Sequence, residues 1–294
     1  MATELSRGNL FDPVLVKDLV NKVRGKSSLA VLSAQTPVPF NGRKEFTFTM
    51  DSEIDVVAEN GKKTHGGVTV EPVTIVPIKV EYGARVSDEF MHASEEEQLE
   101  ILKAFNDGFA RKLASGLDIM AFHGVNPRTG SASAVIGANN FDAKVTQTVT
   151  YDAAKPDENI EAAIAMIEGA DADITGMVIA PAVRADLAKL TKSTGEKLYP
   201  EFAFGGKPET LGAYGLDINK TVAQGNVDKA IVGDFANMFK WGYAKEIPME
   251  IIQYGDPDNS GKDLKGYNQV YIRAEAYLGW GILDGNAFAR ITNA

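Results

Sequence analysis

The 294-residue chain contains no cysteine, which excludes a disulfide framework and a thiolate metal site. Histidine is nearly as scarce. His65, His92 and His123 stand far apart, never at the spacing of a metal-binding helix such as HExxH, and each reads as a surface or capping residue. Positive charge is in deficit, with a net charge of -10. A surface built to wrap nucleic acid needs clustered Lys and Arg, so that balance argues against one. No apolar run approaches the ~20 residues of a membrane span. The opening MATELSRGNLFD lacks the basic-then-apolar pattern of a signal peptide.

Catalytic patterns are missing too. PRTGSAS and FGGKP bear glycine but have neither a P-loop ending nor a dinucleotide fingerprint, and no nucleophile elbow is present. Asp234 and Glu275 have no nucleophile or base partner in the sequence. Asp256, Asp258, Ser260 and Gly261 are spaced like the first half of a calcium loop, but Tyr267 stands where the bidentate Glu belongs. A flexible turn is the expected reading. No catalytic residue, cofactor or metal is therefore expected.

With 44% hydrophobic residues the chain can bury a sizeable core, in one large domain or two ordinary ones. The N-terminal stretch is mildly basic on an acidic body. Asp12-Pro13 opens a short helix whose Val16, Leu19, Val20 and Val23 form one apolar stripe, ending near Gly25. One stripe cannot make a domain, so this segment is expected to be an arm docked on something else. Ser28–Ser33 reads as a strand, and Pro37 and Pro39 force an extended connector.

The stretch from Phe46 to Gly124 organises the rest. Phe46, Phe48, Met50, Ile54 and Val56 alternate in an outgoing arm, Phe46–Ala58, and Val73, Ile75, Ile78 and Val80 alternate in a returning arm, Val68–Tyr82. The tip is polar, from Glu59 through Lys62 and Lys63 to Gly67, with Asn60-Gly61 and Gly66-Gly67 expected to supply positive φ. Pro72 and Pro77 remove backbone donors and predict an edge strand. Two readings are equally supported: two central strands of an ordinary sheet, or a ribbon lying on another molecule.

A capping box, Ser94 with Glu97, then opens a long helix to His123-Gly124 with Leu102, Phe105, Phe109, Leu113, Leu117 and Met120 on one stripe. The stripe is not a strict heptad, which favours a helix across a sheet over a coiled coil. Val125–Ala138 reads as loop and Val145–Tyr151 as a strand. A helix follows from Asp157, with Ile160, Ile164 and Ile167 inward, then a buried strand Met177–Ala180 and a helix from Pro181. Strands are expected near Gly212–Ile218, Ala230–Gly233, Met249–Gln253 and Tyr267–Trp280, with a last one at Ala287–Thr292. Strands and helices mix without βαβ alternation, so the class is α+β.

The order of parts carries a resemblance. An N-terminal arm, a long hairpin with AENG at its tip, VSDEF, the long helix, VIAPAVRADLAKLTKSTGEKLY, LGAYGLDI, AIVGDF and VYIRAEAYLGWGILDGNAFARI follow one another. Together they resemble the major capsid proteins of tailed bacteriophages with the Hong Kong 97-type fold, across essentially the whole chain. The resemblance implies an N-arm (1-27), an extended loop (46-82) and a peripheral domain (28-45, 83-150, 267-284) with a spine helix (94-123). It also implies an axial domain (151-266, 285-294).

The implied function is a non-enzymatic shell subunit, self-assembling as hexamers and pentamers around double-stranded DNA contacted non-specifically. A portal protein would occupy one vertex, and assembly would take place in the bacterial host cytoplasm. The sequence starts at the arm, so a separate scaffolding protein is expected. Some relatives crosslink a hairpin lysine. Lys62 and Lys63 are available, but no acceptor asparagine can be placed, and a solvated tip is expected. The expected assembly residues are Val16, Leu19, Val20, Val23, Phe48, Ile54, Val56, Glu59, Asn60, Gly61, Lys62, Lys63, Val73 and Ile75. The alternatives are an encapsulin-type compartment shell and, further off, a soluble α+β enzyme.

Overall fold

The computed structural model describes residues 27–50, 52–92, 95–245 and 249–293. The N-terminal helix with its Val16, Leu19, Val20 and Val23 stripe, and the Ser94 capping box, lie outside the described residues.

The first element corrects the sequence reading: Ser28–Leu32 is a helix (α1), not a strand. Its β-like run LAVL is overridden from outside. Ser27 caps the helix by accepting from the Ala30 N–H, while Asp118, 90 residues on, accepts from the Ser28 N–H at 3.0 Å. A buried carboxylate on orphan helix amides fixes the first turn. The Pro37–Pro39 connector is extended as expected, with the Thr36 N–H donating to the Trp241 carbonyl at 2.8 Å.

Among the described residues β1 (Arg43–Met50) and β2 (Val68–Ile75) pair only with each other, as a two-stranded antiparallel ribbon. The returning arm breaks at Val76-Pro77 and resumes as β3 (Ile78–Ser87), which joins a different sheet. The outgoing strand is shorter than expected, ending at Met50 rather than Ala58. A turn closes at Gly61, whose N–H donates to the Ala58 carbonyl, and neither Asn60-Gly61 nor Gly66-Gly67 has positive φ.

The long helix α2 (Glu95–His123) stops at Gly124, where φ is +64 and the N–H donates to the Met120 carbonyl. Its Phe109, Leu113, Leu117 and Met120 are buried in the main core, and Leu102 packs with Val270 and Ile272. Along the chain follow α3 (Phe141–Lys144), β4 (Thr148–Thr150), α4 (Pro156–Gly169), β5 (Gly176–Ile179), α5 (Pro181–Leu187), β6 (Thr210–Leu211), β7 (Tyr214–Ile218) and β8 (Asp228–Gly233). The last elements are α6 (Phe235–Met238), β9 (Phe239–Lys245), β10 (Met249–Ile252), β11 (Gln269–Ile282) and β12 (Phe288–Thr292). β9 is absent from the sequence reading although Phe239, Trp241 and Tyr243 alternate.

Two larger sheets result. β11 is the spine of one, antiparallel to β3 along one edge and to β10 and β9 along the other. In β11, Val270, Ile272, Ala274, Ala276 and Leu278 are buried while the residues between are half-buried, and from Gly279 every residue is buried. The strand has one solvated face until it enters the core. The second sheet runs β4-β12-β8-β5-β7-β6, parallel at β4/β12 and β5/β7 and antiparallel elsewhere. α4 turns Ile160, Ala163 and Ile167 into the core it shares with β8 and β12. This is an α+β arrangement.

Candidate assembly surface

The register of the ribbon sorts its side chains. Directly opposed residues share a face, and faces alternate along a strand. Phe46 opposes Pro72, Phe48 opposes Val70, and Met50 opposes Val68, so these six make one apolar face. Nothing in the described chain covers it: Phe46, Phe48 and Met50 are 62%, 61% and 71% exposed. The other face carries Thr47 opposite Glu71 and Glu45 opposite Val73. Fully burying one such apolar side chain is worth about 1.5–3 kcal/mol, which the free subunit forgoes at each of these positions. An isolated two-stranded hairpin is marginal in water.

The ribbon is fixed at its base. Ile75 is 1% exposed and lies over β11 where that strand has glycine. A Cβ at Gly281 would come within 2.8 Å of Ile75 Cγ1 and 3.6 Å of Val73 Cγ1, and one at Gly279 within 3.2 Å of Ile75 Cγ2. Ile75 and Val73 therefore dock the ribbon on its own chain, whereas Phe48 faces outward. Ile54 and Val56 are 94% and 95% exposed beyond the end of β1. Glu59, Asn60, Gly61, Lys62 and Lys63 are exposed in the tip. The structure thus divides the expected residues: an outward set from Phe48 to Lys63, and an anchoring pair, Val73 and Ile75, with the four arm residues outside the described region.

Two buried polar clusters were missed from the sequence. His123 is not a surface cap. Its Nδ1 lies 3.0 Å from Asp142 Oδ2 and its Nε2 lies 3.1 Å from the Thr221 carbonyl oxygen. A carbonyl only accepts and a carboxylate accepts, so both ring nitrogens donate and the imidazole is cationic. Burial alone would lower the His123 pKa, but the hydrogen bond and charge of Asp142, with Asp228 behind it, raise it. Burial likewise opposes ionisation of Asp142, yet His123 and Arg290 hold its pKa below the ordinary value.

Arg290 completes a quartet, reaching Asp142 Oδ1 at 2.7 Å and Asp228 Oδ1 at 2.9 Å. Burial pushes Asp228 up to about 6 against the pull of Arg290. The ligand atoms of His123, Asp142 and Asp228 lie within 4.8 Å of one another, close enough for a metal. Two cations and two anions already balance there, with Arg290 bridging Asp142 and Asp228. The quartet ties α2, α3, β8 and β12 together.

The second cluster is Asp118, fully buried on α2. Besides the Ser28 N–H it accepts from the Ser27 hydroxyl, the Leu29 N–H at 3.3 Å, Asn219 Nδ2 at 3.2 Å and the Thr221 hydroxyl at 2.9 Å. Burial raises its pKa to about 6 while these donors hold it down. It fixes the point where the chain enters its first described helix.

Among the described residues no helix is long and apolar enough to cross a membrane. A model of the phage capsid family matches residues 7–293. A solved structure from Mycobacterium phage Ogopogo is 34% identical with a TM-score of 0.78, covering 92% of this chain and 92% of that one. One from Gordonia phage Cozz is 24% identical at a TM-score of 0.75, covering 92% and 87%. The capsid of a native GTA particle shares the fold at 16% identity and a TM-score of 0.64, covering 91% and 90%. A search of curated protein sequences returns no match.

Proposed function

This chain belongs to the phage capsid family and is a major capsid protein of the tailed-phage type, and on that basis we propose that its copies associate through the β1–β2 ribbon. In this reading they form hexamers and pentamers of an icosahedral shell around double-stranded DNA. The observation that carries the proposal is the uncovered apolar face of Phe46, Phe48, Met50, Val68 and Val70 on a strand pair that its own body holds at the base, through Val73 and Ile75. A neighbouring subunit under that face supplies the layer the ribbon lacks. Many such contacts repeated by closed symmetry stabilise a shell without any single tight interface.

The parts take the roles the sequence suggests. Residues 1-27 serve as the arm and 46-82 as the extended loop. Residues 28-45, 83-150 and 267-284 form the peripheral domain around α2, and 151-266 with 285-294 form the axial domain. A scaffolding protein, a portal protein and the genome are the partners, and the subunit has a structural rather than an enzymatic role. The net charge of -10 suits a container whose wall does not grip DNA.

Negative-stain imaging of the expressed protein, with and without a candidate scaffold, tests this. Closed icosahedral particles are expected. A small oligomer on a sizing column, with no particles under either condition, contradicts it. Particles that copurify with a protein cargo in place of DNA would make the chain a storage compartment.

A further inference from the structure

The loop between α5 and β6 contains the FGGKP run and treats its two phenylalanines in opposite ways. Phe202 is fully buried, and Arg184 Nη1 donates to its carbonyl at 3.1 Å. Phe204, two residues on, is fully exposed, more so than any other aromatic side chain among the described residues. The loop around it is tied down. The Lys192 N–H donates to the Glu196 carbonyl at 2.8 Å, the Leu198 N–H to the Leu190 carbonyl at 3.0 Å and the Gly206 N–H to the Ala203 carbonyl at 2.9 Å. The Tyr199 hydroxyl donates to Asp157 Oδ2 at 3.3 Å. A Cβ at Gly206 would collide with the Glu201 carbonyl oxygen, so the chain doubles back tightly around Phe204. Phe204 itself has φ +53 and ψ +28, the left-handed region that a bulky side chain seldom enters. Glycine would relieve that conformation and fills the next two places, yet this place carries a phenyl ring. Folding gains nothing from a ring wholly in water on a strained backbone.

A rigid aromatic held outward at a cost to the subunit has the character of an interface anchor, the kind of side chain that dominates a contact once it is covered. The charges around it point to the partner. Between residues 191 and 209 stand Lys192, Lys197 and Lys207 with Glu196, Glu201 and Glu209, three of each sign on a chain of net charge -10. An acidic chain repels its own copies over most of its surface. A neutral patch carrying both signs can meet its own image, with lysine opposite glutamate. We propose that this loop is a self-contact between adjacent copies of the chain, with Phe204 as the anchor that packs on the neighbour's copy of the same loop. The inference rests on the reading of the chain as a shell subunit, and it adds to the β1–β2 ribbon a second contact at a separate place on the fold.

The test compares the full chain with Phe204→Gly, Phe204→Tyr and Lys207→Cys. Phe204→Gly should leave the denaturation midpoint of the free subunit equal or higher, because the strain leaves with the ring. The same variant should lower particle yield at a fixed subunit concentration by about tenfold or more, and Phe204→Tyr should keep most of the yield. Because the chain has no other cysteine, Lys207→Cys places one thiol per copy beside the anchor, and a short bismaleimide should link copies into dimers in particles but not in dilute free subunits. Full particle yield from Phe204→Gly would overturn the proposal, as would a subunit destabilised by it or Lys207→Cys assemblies that give no dimers. A wild type that forms no particles would refute the shell reading instead. The loop contact would then stand if Lys207→Cys gave dimers in the smaller oligomer, and fall if it gave none.

Discussion

The β1–β2 ribbon and the six-stranded sheet use the same kind of residue and come to opposite ends. In β8, Ala230, Ile231 and Val232 are fully buried, because β12 and β5 pair on its two edges and α4 lies across it. In β1, Phe46, Phe48 and Met50 are as apolar but remain largely exposed, because among the described residues one partner strand and no second layer are available. Apolar alternation states that a face will be covered but does not say by which molecule. The difference lies in where the missing layer comes from, and substitutions can separate the two regions by what each one damages.

The largest effects belong to the body. Phe288→Ala should destabilise the isolated subunit by about 3–5 kcal/mol in chemical denaturation, since its ring meets Phe141 at 5.0 Å and Phe235 at 5.2 Å in a sealed core. Arg290→Met should cost a similar ~3–5 kcal/mol by leaving the fully buried Asp228 without its cation, while His123 still faces Asp142. A loss under 1 kcal/mol would show that the quartet contributes little.

At the junction of the two regions, Gly281→Val should cost about 1–3 kcal/mol. It should also expose the ribbon base to limited proteolysis, because the added methyls collide with Ile75. Unchanged cleavage would mean that Ile75 is not the anchor.

The pH response is smaller and has a definite sign. The pKa of His123 is raised above its ordinary value in the folded chain. Its contribution is therefore full below about pH 6.5 and is lost as pH rises through the higher folded value. His123→Gln should flatten that alkaline-side decline in a Tm-against-pH series, and an unaltered profile would contradict the cationic assignment. Smallest of all for the subunit is Phe48→Ser, which should change its stability by less than ~0.5 kcal/mol yet lower the yield of particles.

Much of this architecture was legible because periodicity survives where packing is one-sided. The α2 stripe from Leu102 to Met120 and the alternation of β11 follow from the sequence alone, whereas the alternation of the hairpin arms fits a central sheet and an isolated ribbon equally, and the strand pairing decides between them. The misreadings share a physical cause, which is a partner far away along the chain. Ser28–Leu32 looks like a strand until Asp118 binds its amides. His123 looks like a cap, although it continues the three- and four-residue steps of the buried stripe after Met120, and that continuation was the available signal. Asp142, Asp228 and Arg290, which make it cationic, are invisible from its neighbourhood. The loop at Asp256 showed its carboxylate spacing but not the Arg85 guanidinium, 171 residues earlier, that pairs with it. Sequence grouped Val73 and Ile75 with Phe48, and only the register separates the face turned to the body from the face turned away.

The most direct test of the central claim is hydrogen exchange at the β1 and β2 amides in free subunits and in assembled particles, with β8 as the internal reference. The account predicts rapid exchange in the free ribbon and slowing by about two orders of magnitude on assembly, while β8 stays protected throughout. Ribbon amides as well protected in the free subunit as in the particle would contradict it, because the ribbon would then owe its order to its own chain.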